Sequence, residues 1–314
     1  MTDVEPVAAP AAKRVWKRTA VGQPVLSWCV TARNSEATIE ACLISLRERS
    51  PEAEVVVLDT CSSDGTVEIA RRYADVVEVY KGPRGTWDEA MPAVDDMAAA
   101  RQRTFEIATG RWRAWADADD RVVGGEEASR LLKLNSRFRP LQRTEKVDRF
   151  DRERDGLKED DGEAIGLEDF LRWLDRNHPE FDFIWAPYAY RLDERPESAG
   201  AAITWQERER IVRWDSPPKF RWAEAAHEIL VPVAGYVPNR YSMPQLLWVH
   251  QRKFTADSIS YSMSRHGKIL LGEYERGEIT NRRCNYLASF APALCPEREL
   301  EFREKALETA WTTS

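Results

Sequence analysis

The first clear signal in the chain is a short apolar run, Val25 to Thr31 (V-L-S-W-C-V-T), rich in β-branched and aromatic side chains. Such a run predicts a strand. Ser35 offers a helix cap, and Ile39, Leu43 and Leu46 follow at helical spacing. Glu54 to Leu58 (E-V-V-V-L) predicts a second strand, apolar at nearly every position, as strands covered on both faces are. Asp64 can cap a helix through Ile69 to Tyr73, and Val76 to Val79 predicts a third strand. Asp88 to Thr109 predicts a long helix interrupted early by Pro92, with Met97, Arg101, Phe105 and Ala108 at helical spacing and Gly110 as its stop. Trp112 to Ala116 predicts a fourth strand that runs straight into Asp117-Ala118-Asp119-Asp120. Strand and helix alternating in this way predict an α/β fold with a mainly parallel sheet.

The second half is less regular. Arg137 to Glu163 is dense in both charge signs and poor in core residues, so it predicts a solvated insertion. Leu167 to Leu174 predicts a helix and Phe181 to Arg191 an aromatic-rich strand, while Ile203 to Trp205 and Ile211 to Trp214 predict a hairpin. From Thr255 onward the pattern is helical, over Ser258 to Tyr274, Arg283 to Phe290 and Pro296 to Thr309. These patterns divide the chain into a loose leader (1–23), an α/β domain (24–250) and a helical C-terminal region (251–314). Within the α/β domain, residues 24–125 form one half, about 137–164 the charged insertion, and 165–250 the other half.

Composition narrows the function class. The chain has 314 residues, 46 basic and 53 acidic, for a formal charge of −7, which argues against general nucleic-acid binding. No apolar run reaches the roughly 20 residues of a membrane span, and Met1 to Val21 lacks the apolar segment of a secretory signal. The five cysteines, Cys29, Cys42, Cys61, Cys284 and Cys295, are odd in number and share no metal-binding spacing. They predict apolar fillers in a reducing cytoplasm.

In open parallel sheets, ligands bind beyond the carboxyl ends of the strands. Three loaded segments stand there: Thr31-Ala32-Arg33-Asn34, the turn from Asp59 to Thr66, and the Asp117 cluster. Asp117 and Asp119 at a strand end suit a hard divalent cation, whose shell nucleotide phosphates would complete. Asp59 either caps its turn or accepts a hydrogen bond from a base, such as the imide N–H of uracil. Of the twelve tryptophans, Trp28, Trp112 and Trp115 flank strands and read as core. Trp185, Trp205, Trp214 and Trp222 gather in the second half, where aromatic faces could stack on an acceptor.

The series V-T-A-R-N-S-E, V-V-V-L-D-T-C-S-S-D-G-T, A-A-R-Q-R-T-F-E-I-A-T-G and W-A-D-A-D-D, in that order over residues 24–125, resembles the family 2 glycosyltransferases with the GT-A fold. The resemblance implies a Rossmann-like sheet and an inverting enzyme that uses a nucleotide-activated sugar, most simply a UDP-sugar, with Mn²⁺ or Mg²⁺. It implies that Thr31, Ala32, Arg33 and Glu36 line the nucleotide, that Asp59 meets the base, and that Arg101 faces the diphosphate. Asp117 then lies by the ribose or metal, Ala118 lines the nucleotide sugar, and Asp119 holds the metal. Gln102 stands where the family more commonly has Asn, and Asp120 reads as a further ligand or a loop cap.

Arg210 to Leu230 (R-I-V-R-W-D-S-P-P-K-F-R-W-A-E-A-A-H-E-I-L) is similar to a subset of the family with an R-W…H-E segment and a helical, tetratricopeptide-like C-terminal part. That similarity implies His227 as the further metal ligand, with His250 the alternative and His178 and His266 at the surface. An inverting transfer needs a base. Glu228 is the candidate, or else the partner that orients His227; Glu224, Asp182 and Asp193 stay open. Arg213 is the candidate arginine beside the departing diphosphate, and Trp214 and Trp222 are the candidate acceptor contacts. The helical region makes a protein side chain a plausible acceptor. Two other classes fit the pattern less closely: a nucleotidyltransferase, which would want a Gly-rich basic loop where T-A-R-N-S-E stands, and a non-catalytic binding module.

Overall fold

The computed structural model describes residues 22–82, 96–133, 166–192, 202–243, 246–251 and 256–308. Most of the expected leader, the predicted helix before Asp96 with Pro92, the charged insertion and Asp193 lie outside the described residues. The first half alternates as the apolar pattern predicts: β1 (Leu26–Ala32), α1 (Ile39–Arg49), β2 (Glu54–Asp59), α2 (Thr66–Tyr73), β3 (Val76–Val79), α3 (Met97–Ile107) and β4 (Trp112–Asp117). After it come β5 (Asp120–Gly124), α4 (Gly125–Lys133), α5 (Leu167–Asn177), β6 (Phe183–Leu192) and β7 (Ala202–Arg213). Then follow β8 (Phe220–Ala223), β9 (Ile229–Pro232), β10 (Arg240–Ser242) and β11 (Leu246–His250). The described chain ends in α6 (Ala256–Glu275), α7 (Asn281–Leu294) and α8 (Glu299–Glu308).

The central sheet runs β3-β2-β1-β4-β7-β6-β11-β5, with β10 beside β6. The first four strands are mutually parallel, whereas β7 is antiparallel to both β4 and β6. β1 and β2 are buried at every position, because helices cover one face and mixed elements the other. Alternation sorts their side chains. Trp28, Val30, Val55 and Val57 pack with Leu43 and Leu46 of α1. Cys29 and Val56 face the other way, toward Phe105 of α3 and Trp222 of β8. Each fully buried apolar side chain of this size contributes about 1.5–3 kcal/mol, so this two-sided core fixes the strand ends that carry the chemistry.

Four details differ from the sequence pattern. Ser35 does not cap α1: its carbonyl accepts from Thr38 and Ile39, and the helix starts one turn later. The expected hairpin of Ile203–Trp205 and Ile211–Trp214 is one strand, β7, paired along its length with β6. Its charged middle, Gln206 to Arg210, runs past the end of β4, which pairs only with Ile211 to Arg213. The short β5 and β8 to β11 carry no run long enough to stand out. Gly110 does not stop α3, which ends at Ile107 with Ala108 as its cap; a glycine stands there for a contact reason. A Cβ there would lie 2.5 Å from Ser27 Oγ and 2.6 Å from its backbone nitrogen.

Candidate active site

The parallel register brings the three loaded segments together. Ala32 pairs with Asp59 and Thr31 with Asp117, so Asp59 and Asp117 flank the end of β1. With strands spaced ~4.8 Å apart, their backbones stand about 10 Å from each other. The loops beyond β1 and β2 are laced side by side. Asn34 N–H donates to Ser62 Oγ at 2.8 Å, and Ser63 N–H donates to Asn34 Oδ1 at 2.8 Å. Ser35 N–H donates to Thr66 Oγ1, Gly65 N–H to Glu36, and Arg33 to the Thr60 carbonyl. Asp64 accepts from Glu36 N–H and from both the backbone and hydroxyl of Thr66. Burial works against the charge of Asp64, but these hydrogen bonds hold its carboxyl below the usual range. Asp59 is fully buried and accepts from Ser62 N–H at 2.8 Å and Ser62 Oγ at 2.5 Å. Its turn-capping role is therefore realised.

Arg101, on α3, is the electrostatic hub. Its guanidinium lies 2.7 Å from Asp117 and 2.6 Å from Glu228, and only 4 % of the residue is exposed. It lies over the rings of Trp115, at 4.4 Å, and Trp222, at 5.4 Å. Burial opposes the charge on all three groups, and mutual attraction overrides it: Asp117 and Glu228 are held below the carboxylate range and Arg101 above its ordinary value. Gln102, the next residue on α3, accepts from Trp222 N–H at 3.1 Å and so fixes β8 against the helix.

The turn from β4 to β5 is clasped by β11. His250 is the register partner of Asp120, and Gln251 N–H donates to the Asp119 carbonyl at 2.7 Å. Asp119, Asp120 and His250 offer ligand atoms within 4.8 Å of one another, the one such group among the described residues. His250 Nδ1 lies 3.7 Å from Asp119 Oδ1 and 3.5 Å from Asp120 Oδ1. Burial works to lower the pKa of His250, but the hydrogen bond to Asp120 and the charges of Asp119, Asp120 and Asp117 outweigh it, for a net rise. Asp120 is fully buried and accepts from Tyr188 Oη at 2.9 Å and from Asp117 N–H at 3.1 Å. Arg210 lies 3.5 Å from Asp120 Oδ2, the oxygen that also accepts from Asp117 N–H. Arg210 sits at a bulge: Ile211 faces Ile184 and Glu209 faces Trp185, which leaves it as the extra residue. The bulge turns its guanidinium inward, over Trp115 at 3.8 Å and Tyr188 at 4.1 Å.

Several expected residues lie elsewhere. His227 is not part of the Asp119–Asp120–His250 group; its ring packs on His266 at 4.8 Å and Tyr286 at 4.7 Å, among the C-terminal helices. Arg213 pairs with Trp112, at the amino end of β4, and its guanidinium binds Asp175 at 2.9 Å, so it stands a strand's length from Asp117. Trp214 shares that distant end, since its N–H bonds the Arg111 carbonyl and its ring packs on Phe105. Trp222 is buried and edge-on to Trp115 at 5.5 Å, which makes it a support for Arg101 rather than an open acceptor face. Trp185 and Trp205 pack in different clusters, so the four later tryptophans form no single surface. Asp182 is buried and occupied by Tyr236, Asn239 and Lys219, which removes it as a base. His178 and His266 are half-buried against aromatic rings, not surface groups. Sequence reasoning missed Arg210 and Tyr188, and ranked His250 second.

Residues 27–134 match the family model "Glycosyl transferase family 2". That span holds β1 through α4 and thus Thr31, Asp59, Arg101, Asp117 and Asp119. The chain is 30 % identical over 105 residues to the "Putative teichuronic acid biosynthesis glycosyltransferase TuaG" of Bacillus subtilis. That alignment covers 32 % of this chain and 37 % of the relative, so the chain spans a little over a third of that relative's length. Glucosyl-3-phosphoglycerate synthase of Mycobacterium tuberculosis, solved with Mn²⁺ and UDP, is 27 % identical over 32 % of this chain and 34 % of that one, with a TM-score of 0.24. TarS of S. aureus, residues 1–349 with UDP-GlcNAc, is 14 % identical over 84 % of this chain and 71 % of that one, with a TM-score of 0.39.

Proposed function

We propose that the chain is an inverting, divalent-metal-assisted glycosyltransferase that moves a sugar from a UDP-sugar to an acceptor nucleophile, a protein side chain being the acceptor class that the helical C-terminal region favours. The observation that carries the reading is the Arg101 bridge, which ties Asp117, inside the family 2 match, to Glu228, far outside it. In this reading Thr31, Ala32, Arg33 and Glu36 line the nucleotide along the laced loops. Asp59 accepts the base imide through the carboxylate lone pairs that Ser62 leaves open. Asp117 and Ala118 adjoin the ribose.

Two carboxylates and one imidazole clustered within 4.8 Å fit Mn²⁺ or Mg²⁺. Asp119 and His250 would hold the ion and Asp120 would anchor both. When bound, the metal neutralises negative charge on the departing diphosphate. Arg101 and Arg210 set the rest of the field. Glu228, kept ionised by Arg101, takes the acceptor proton as the acceptor oxygen or nitrogen bonds the anomeric carbon and the C–O bond to the diphosphate breaks on the opposite side. Attack from that side inverts the anomeric centre. A cytoplasmic setting accords with five free thiols, and none of the described helices is long and apolar enough to cross a membrane.

The test is slow hydrolysis of UDP-glucose or UDP-N-acetylglucosamine by the purified protein with Mn²⁺. Product UDP, lost in Asp119→Ala, supports the reading. Hydrolysis undiminished by that substitution, or no UDP-induced rise in melting temperature, sinks it.

A further inference from the structure

Glu228 reaches Arg101 from a loop whose backbone is hard to hold. The loop, 224–228, joins β8 to β9, and both Glu224 (φ +69°) and His227 (φ +57°) are in the left-handed region without being glycine. Such residues cost of order 1–3 kcal/mol each and persist only where their surroundings fix them. Here the fixing groups come from the C-terminal helices and the start of α3. Ala225 and Ala226 are buried with Leu270 of α6 and Leu287 and Ala291 of α7. Met97 N–H, opening α3, donates to the Ala225 carbonyl at 2.9 Å. The His227 ring rests against His266 and Tyr286 and lies nearly parallel, at 7°, to Phe290 at 6.4 Å.

We propose that His227 is a positioning residue: its ring, docked on α6 and α7, locks the left-handed turn that delivers the next residue, Glu228, to Arg101. The C-terminal helices then belong to the active site, because they decide where the carboxylate stands. This rests on the reading of Glu228 as the base. It also explains why a histidine precedes that glutamate without recourse to metal ligation. Histidine tolerates the left-handed region better than most side chains, and its flat ring fills a slot between other rings.

The experiment compares the full chain with His227→Phe, His227→Asn and Tyr286→Leu. Phe keeps a ring on the helices but cannot bind a metal. Asn keeps a residue tolerant of the turn but removes the ring. Three quantities are measured: Mn²⁺ affinity by electron paramagnetic resonance, kcat and KM for UDP-sugar hydrolysis, and amide hydrogen exchange across residues 224–228. Mn²⁺ affinity and donor KM should stay within about twofold in all variants, while kcat falls about tenfold or more in His227→Asn and Tyr286→Leu. His227→Phe should recover most of that kcat. Exchange should quicken in the first two variants and not in His227→Phe. A tenfold loss of Mn²⁺ affinity in both His227 variants would make the ring a metal ligand and overturn the proposal. Unchanged exchange in His227→Asn and Tyr286→Leu would overturn it too. Because exchange is read without turnover, a protein that binds UDP but transfers nothing would refute the transferase reading and leave the loop assignment separately decided.

Discussion

Arg101 and Glu228 lie 127 positions apart in sequence, yet their charged atoms meet at 2.6 Å. The contact joins α3, inside the family 2 match, to the β8–β9 loop, outside it. Because Arg101 also holds Asp117, one guanidinium balances two carboxylates. Arg101→Met should therefore leave two charges without their counter-ion. We expect a loss of about 3 kcal/mol in stability by urea denaturation, the low end for breaking a buried pair, because a third of the Asp117 side chain is exposed. Arg101→Lys should lose less, since it keeps the charge and forfeits the two-way fork.

Glu228→Gln keeps a hydrogen-bond acceptor for Arg101 and removes the proposed proton acceptor. Transfer should fall by about 10²–10⁴-fold, while UDP affinity measured by calorimetry stays near that of the unaltered protein. Equal loss of both would place Glu228 in donor binding instead.

Metal affinity distinguishes the proposed ligands from the residue that would orient them. Asp119→Asn and His250→Ala should each weaken Mn²⁺ binding by well over tenfold, read from the free-ion resonance signal. Tyr188→Phe removes the hydroxyl that lies 2.9 Å from Asp120 and 3.2 Å from His250, and should weaken binding by about tenfold. Full Mn²⁺ affinity in His250→Ala would reassign the site.

Acid sensitivity should come in part from His266. Burial, then the charges of Arg265 and His227, push its pKa down to about 4. The unfolded chain, titrating near 6.5, binds more protons between pH 4 and 6.5, so stability rises with pH across that window and is lost as pH falls through it. The largest change, below pH 4, is about 3 kcal/mol. His266→Gln should flatten the slope between pH 4 and 6.5, measured as denaturation midpoints at several pH values. A slope equal to that of the unaltered protein would assign the acid sensitivity to other groups.

The strands that end in chemistry were legible where the apolar run was unbroken. β1 and β2 are buried along their length and β4 up to Asp117, and Thr31, Asp59 and Asp117 follow directly from that pattern and from parallel pairing. β11 was not legible, because its five residues gain meaning only from their register with β5, which sets His250 opposite Asp120. Arg210 was hidden for a related reason. It lies in a run of alternating charges between the two arms of the expected hairpin, and only the bulge against β6 turns it inward. The sequence neighbourhood of His227 and Glu228 suggested a shared role at a metal, but the left-handed turn points the two side chains at different partners. Arg213 and Trp214 were misplaced because strand direction is invisible in composition: β7 runs opposite to β4, which carries them away from Asp117.

The lacing of Asn34 with Ser62 and Ser63 has a consequence for inheritance and for engineering. Each loop supplies hydrogen-bond partners to the other, so a change in one favours a matching change in its neighbour. Related sequences should vary at these three positions together. A graft of this region from another protein must carry both loops as a unit, since either one alone would arrive without its mate.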